Sequence, residues 1–174
     1  MMPRARVQPR TARPDAVSGP RPTLDLGRYV PGLLTILANK LSRGASAIYQ
    51  REFGVSVTEW RIMSQLAIEP GIPASRICQV IGFDKGPVSR SLATMERKGI
   101  LTIEVDQADA RRRVIALTEA GRALHDRVIV VALERERRLL ACLPADHQEH
   151  LIASLNALHD NLGSLNRPAA GSRV

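Results

Sequence analysis

The chain has 174 residues, and 25 lysines and arginines stand against 17 aspartates and glutamates, a formal net charge of +8. With 44% apolar residues it can build one sizeable core, which excludes a collagen-like, mucin-like or wholly disordered protein. The longest apolar run, Val128 to Leu133, falls far short of the roughly 20 residues that cross a bilayer, so no membrane partner is expected. The basic balance points instead to an anionic partner, nucleic acid first. Aromatics make up only 3%, too few for a platform that stacks single-stranded bases, so double-stranded DNA fits better. The two cysteines, Cys78 and Cys142, lie too far apart in sequence for a zinc ribbon or a disulfide scaffold. A reducing, cytoplasmic compartment is the expectation.

The charge is unevenly placed. Residues 1–22 hold Arg4, Arg6, Arg10, Arg13 and Arg21 against Asp15 alone, half of the net charge, together with five prolines. So little apolar surface cannot offset the entropy of ordering, and this stretch reads as a disordered arm, either inert or touching DNA phosphates. Residues 23–55 read as an N-terminal dimerisation region. In it Val30, Leu33, Leu34, Leu37, Leu41 and Ile48 recur at helical spacing from Tyr29 to about Arg51.

Residues 56–118 read as a DNA-binding unit. Ser56-Val57-Thr58-Glu59 is a capping box that opens a second helix with Trp60, Met63 and Leu66 on one stripe. Pro73 begins a short helix whose Ile77, Val80 and Ile81 face inward, and Gly82 stops it. Asp84 caps the next helix, Lys85 to Lys98, closed by Gly99. Two helices joined by so tight a turn make a helix-turn-helix. Periodicity then changes to two: Ile100 to Val105 and Arg112 to Leu117 read as strands around a polar turn, a wing.

Residues 119–165 read as C-terminal dimerisation helices. Thr118 caps a helix from Glu119 to about Cys142, with Glu134 to Arg138 as a solvated charged stretch. Pro144 opens the last helix, where Leu151, Leu155, Leu158, Leu162 and Leu165 alternate steps of four and three, a seam that needs a partner. Residues 166–174 form a disordered tail. The fold class is therefore mainly α with a small β-hairpin wing: a winged helix-turn-helix plus a helical dimerisation region.

Candidate DNA contacts follow from a helical wheel. At about 100° per residue, with Val88 at zero, Leu92 and Met95 lie within roughly 40° and form the core face. Gly86, Arg90, Ala93 and Arg97 fall opposite, between roughly 140° and 200°. Small residues allow close approach to a groove floor, and arginines read guanine edges or hold phosphate. Lys85, Pro87 and Ser89 complete the candidate recognition surface at the N-terminal end. In the wing, Arg111, Arg112 and Arg113 supply charge. Arg111, nearest the tip, is placed to reach a minor groove, with Asp109 holding its guanidinium.

Gly82-Phe83-Asp84-Lys85-Gly86-Pro87-Val88-Ser89-Arg90, then Met95-Glu96-Arg97-Lys98-Gly99-Ile100-Leu101, resembles the helix-turn-helix signature of MarR-family transcriptional regulators. The likeness continues through Asp106, Asp109 and Arg111, then Leu117-Thr118-Glu119-Ala120-Gly121. No single piece is specific; the combination is. It implies a homodimeric regulator, a repressor more often than an activator, bound to a pseudopalindromic operator. The first and last helices would form the dimer interface, with Leu33, Leu37, Leu151, Leu155, Leu158 and Leu162 in it. Lys85, Ser89 and Arg90 would meet the major groove and Arg111 the minor groove. One departure stands out: Gly86-Pro87 occupies the place where the family commonly has serine-threonine, which removes two hydroxyl donors.

The resemblance also implies response to a small aromatic or phenolic effector, for which the sequence names no site; Trp60 either lines a cleft or sits in the core. Cys78 and Cys142 read as buried or inert thiols. His147 and His150, i and i+3 beside Asp146 and Glu149, read as polar helix surface rather than a metal site. No cofactor is expected. A phosphate-binding glycine loop, a nucleophile elbow and paired carboxylates in a pocket are all missing, which argues against an enzyme. The competing reading is a non-specific architectural DNA-binding protein, which binds every duplex equally and with steep salt dependence.

Overall fold

The computed structural model describes residues 23–167, so the arm expected over 1–22 and all but the start of the tail expected over 166–174 lie outside it. The elements run α1 (Val30–Phe53), α2 (Val57–Ile68), α3 (Ala74–Ile81), α4 (Lys85–Arg97), β1 (Leu101–Val105), β2 (Arg113–Leu117), α5 (Glu119–Leu140) and α6 (Ala145–Leu165). They divide into two units, parted within α1 between Leu41 and Ser42. In the first unit α1 exposes Val30, Leu33, Leu34 and Leu37.

The second unit holds the core. Ile62, Met63 and Leu66 of α2, Ile77 of α3, and Val88, Leu92 and Met95 of α4 are buried together with Leu101, Ile115 and Val128. Each such side chain contributes roughly 1.5–3 kcal/mol by leaving water. Local signals set the helix ends. Ser56 Oγ accepts from the Glu59 amide at 3.1 Å while Glu59 Oε2 accepts from the Ser56 amide at 2.6 Å, closing both halves of the capping box. Thr118 Oγ1 accepts from the Gly121 amide at 3.0 Å and donates to the Gly99 carbonyl at 2.7 Å, so one side chain caps α5 and ties it to the end of α4.

β1 and β2 pair antiparallel, with Leu101 opposite Leu117 and Ile103 opposite Ile115. A third backbone segment, unforeseen in the sequence, joins them. Ile72 pairs with Ile115, whose amide donates to the Ile72 carbonyl at 3.0 Å, so the loop between α2 and α3 anchors the base of the wing. Both strands are one residue shorter at their start than expected. Val80 is a correction: it is exposed, not inward-facing, because α3 has only eight residues and buries a narrow stripe led by Ile77. On α5 Glu134 accepts from Arg137 Nε at 2.7 Å and Arg138 Nε at 2.6 Å, bonds that hold its carboxyl down at about 2. α6 buries no residue; Leu151, Leu155, Leu158 and Leu162 are all exposed.

Candidate nucleic-acid interface

The turn between α3 and α4 depends on Gly82, whose φ of 68° places it in the left-handed region that a side chain disfavours. Its amide and that of Phe83 both donate to the Cys78 carbonyl, at 3.0 and 3.3 Å, which ends α3 and turns the chain. Asp84 occupies the N-cap of α4 with extended backbone, but its side chain accepts no capping bond, contrary to expectation. Pro87, third in the helix, costs no helical hydrogen bond, because the first amides have no carbonyl to meet. The ladder starts at Val88, which donates to Asp84.

α4 thus presents the two faces that the wheel gives. Val88, Leu92 and Met95 are buried, while Lys85, Gly86, Pro87, Ser89, Arg90, Ala93 and Arg97 are exposed. Arg90 lies across Gly86, its Nη1 3.6 Å from where a Cβ would stand. Arg97 folds onto its own helix, Nε 3.4 Å from the Ala93 carbonyl and Nη2 3.3 Å from Thr94 Oγ1.

The wing turn is held by two aspartates. Asp106 Oδ1 accepts from the Ala108 amide at 2.9 Å, and Asp109 Oδ1 accepts from the Arg111 amide at 3.0 Å. Asp109 therefore fixes the backbone under Arg111 and not its guanidinium, which corrects the expected role. The carboxylate that does meet an arginine is Asp106, 3.8 Å from Arg112 Nε. Arg111, Arg112 and Arg113 are all exposed. Arg113 lines a hollow of about 240 Å³ between α4 and the strands, beside Ser89, Ala93 and Ile103.

Two links that position this surface escaped the sequence reading. Lys98, just past α4, donates to the buried Glu59 carboxylate at 2.8 Å and to the Gly54 carbonyl at 3.0 Å. Burial pushes the Glu59 carboxyl up, but Lys98 and Ser56 together outweigh it and hold it below the usual carboxylate value. The first turn of α2 is thereby pinned to the end of α4. Arg61 places its guanidinium 4.9 Å from the centre of the Phe83 ring and donates to Ser42 Oγ at 3.3 Å, tying the turn to α1. Neither partner carried a local signal, since the residues are far apart in sequence.

Trp60 is half-buried, stacked on His125 with ring centres 5.3 Å apart and edge-on to Tyr49 at 5.9 Å, so it cements α1, α2 and α5. Cys78 is half-buried and Cys142 is exposed, so of the two expectations for these thiols, buried or inert, Cys142 does not meet the first. His147 and His150 are exposed, and among the described residues no three metal-ligating side chains are grouped. No helix among the described residues is long and apolar enough to cross a membrane.

A helix-turn-helix with a small, cationic outer face, followed by a two-stranded wing with three arginines at its turn, defines a winged-helix DNA-binding protein. A sequence profile described as MarR family matches residues 53–112. The chain is 30% identical over 91 residues to the transcriptional regulator HosA of Escherichia coli O157:H7, spanning 52% of this chain and 67% of HosA. Among solved structures, a MarR/EmrR family transcriptional regulator from Acinetobacter sp. ADP1 superposes with a TM-score of 0.76 at 30% identity, covering 81% of this chain and 99% of that one. The Staphylococcus aureus MepR–DNA complex shares the fold with a TM-score of 0.67 at 22% identity, over 76% of this chain and 95% of MepR. The chain belongs to the MarR family; it is a DNA-binding transcriptional regulator and not an enzyme.

Proposed function

We propose that the chain is a ligand-responsive homodimeric repressor that binds a pseudopalindromic operator in a bacterial-type cytoplasm. The observation that carries this reading is α4 itself: Gly86, Arg90, Ala93 and Arg97 stand exposed opposite a buried Val88, Leu92 and Met95. Lys85, Gly86, Pro87, Ser89, Arg90 and Arg97 would face the major groove. Arg111, Arg112 and Arg113 would follow the adjoining backbone and minor groove, with Asp109 shaping the turn that presents them. A dimer sets two such helices roughly 34–36 Å apart, one turn of duplex, so operator symmetry follows from protein symmetry.

Residues 23–55 and 119–165 would serve dimerisation. Leu33 and Leu37 in one region, and Leu151, Leu155, Leu158 and Leu162 in the other, are exposed apolar residues that water disfavours. A small aromatic or phenolic effector would act by binding better to the arrangement whose helix spacing misses the grooves, since only differential affinity releases DNA. MepR, solved on DNA, is a relative of the same fold.

The test is fluorescence anisotropy on the chain's own upstream region and a scrambled duplex of equal length at about physiological salt, where charges are screened over roughly 8 Å. Preference by a factor of about 10³ or more supports the regulator. Equal binding to both, and to every duplex of a random-sequence pool, refutes it in favour of an architectural protein, whereas equal binding to these two alone places the operator elsewhere in the genome.

A further inference from the structure

α4 has two flanks beside its solvent face. One lines the hollow next to the wing. The other carries Arg90, Ser91, Thr94 and Lys98 at steps of one, three and four, and faces the first turn of α2. With Ser56 opposite, these residues wall an open cleft of about 380 Å³.

The polar groups of the cleft are almost all donors with protons to give. Thr94 Oγ1 already accepts from Arg97, so its own proton is free to point elsewhere. Two of the three Lys98 protons go to Glu59 and Gly54, leaving one. The sole carboxylate there, Glu59, is spent on Lys98 and the Ser56 amide. Arg90 lines the cleft and, among the described residues, has no carboxylate within ion-pair distance. A cleft lined with unspent donors and one unpaired guanidinium, on the edge of a DNA-reading helix, suits a tetrahedral oxyanion.

We propose that this cleft seats one phosphate of the DNA backbone, held by the Arg90 guanidinium, the Ser91 and Thr94 hydroxyls and the remaining Lys98 proton. The proposal rests on the DNA-binding reading above and deepens it. Arg90 then sets affinity and register without reading sequence, and base discrimination falls to the other residues of the outer face.

The test uses the full chain and two duplexes: one enriched from a random-sequence pool by the wild-type protein, and its scrambled counterpart. Binding is measured by anisotropy across a salt series. Arg90→Ala is expected to weaken both duplexes by the same factor, roughly tenfold or more. Its plot of log affinity against log salt becomes shallower by about 0.9 per phosphate released. Arg90→Lys keeps the wild-type slope, and Ser91→Ala with Thr94→Val weakens both duplexes equally without changing it. In a scan that replaces single phosphates by uncharged methylphosphonates, one linkage per half-site weakens wild type and leaves Arg90→Ala indifferent. Coincident thermal melts show that the variants fold. If Arg90→Ala loses only the enriched duplex, with slope unchanged, Arg90 reads a base and the proposal is overturned. If wild type itself binds no duplex, the underlying reading fails first and takes this one with it.

Discussion

Gly121 sits in the first turn of α5, where a glycine is normally a liability: alanine is better in a helix by about 0.8–1.0 kcal/mol. Its surroundings reverse that sign. A Cβ there would overlap the Ile100 carbonyl oxygen and stand 2.9 Å from the carbonyl carbon and 3.2 Å from Ile100 Cγ2. The obstacle is backbone, so no rotamer change relieves it. The same carbonyl accepts from the Thr118 amide at 3.1 Å and lies 3.2 Å from the Thr118 hydroxyl, so pushing α5 away loosens both. Overpacking costs about 1–3 kcal/mol, and each weakened hydrogen bond about 0.5–1.5 kcal/mol. Subtracting the propensity gain leaves Gly121→Ala destabilised by about 1–5 kcal/mol, with Tm falling by roughly 2–4 °C per kcal/mol for a chain of this length. Urea unfolding followed by circular dichroism reads this directly, with variant and wild type compared at the same protein concentration because association contributes to apparent stability. Gly163→Ala is the control, because that helical glycine has nothing within 4 Å, and it should be neutral or slightly stabilising. A Gly121→Ala protein as stable as wild type would refute the close approach.

Three further outcomes are expected. Arg111→Ala should weaken binding more at sites flanked by A·T pairs than by G·C pairs, because a narrow minor groove concentrates negative potential; equal losses in anisotropy exclude insertion there. Leu155→Asp should yield a monomer in sedimentation velocity, since association would bury an unpaired charge, and a surviving dimer would place the interface elsewhere. Lys98→Met strands the buried Glu59 carboxylate and should cost about 1–3 kcal/mol at pH 7. Because Glu59 is held below its usual value in the folded chain, its stabilisation is present above about pH 4.5 and fades as pH falls through the depressed value. The deficit of Lys98→Met should therefore shrink on acidification, and a deficit independent of pH between 7 and 4 would contradict the role given to the pair.

The features legible in the sequence are those whose physics is local. Ser56 with Glu59, Gly82 and Thr118 act within a few residues of themselves, so their caps and stops stand where the pattern puts them. The buried stripe Val88, Leu92 and Met95 follows from helical period alone. Asp84 and Asp109 show the limit of such reading: position was legible but the bond was not. Asp109 meets an amide two residues away instead of a guanidinium, since closing that short turn orders fewer rotors. Glu59 with Lys98, Arg61 with Phe83, and Ile72 with Ile115 were not legible, because each contact spans a distance that only tertiary packing determines. A single-residue bridge such as Ile72 has no alternation to announce it.

The contact between Gly121 and Ile100 also has a mechanical meaning. It joins backbone to backbone at the junction of α4, β1 and α5, with no side chain between them to absorb motion. A helix of the length of α5 reaches roughly 33 Å, so a pivot of about 5° at its Gly121 end sweeps its far end through roughly 3 Å. The relation runs both ways. By the same geometry a displacement of a few ångströms near Leu140, with Gly121 as the pivot, would correspond to a few degrees of rotation beside Ile100, so α5 has the proportions of a lever whose fulcrum would be its single glycine.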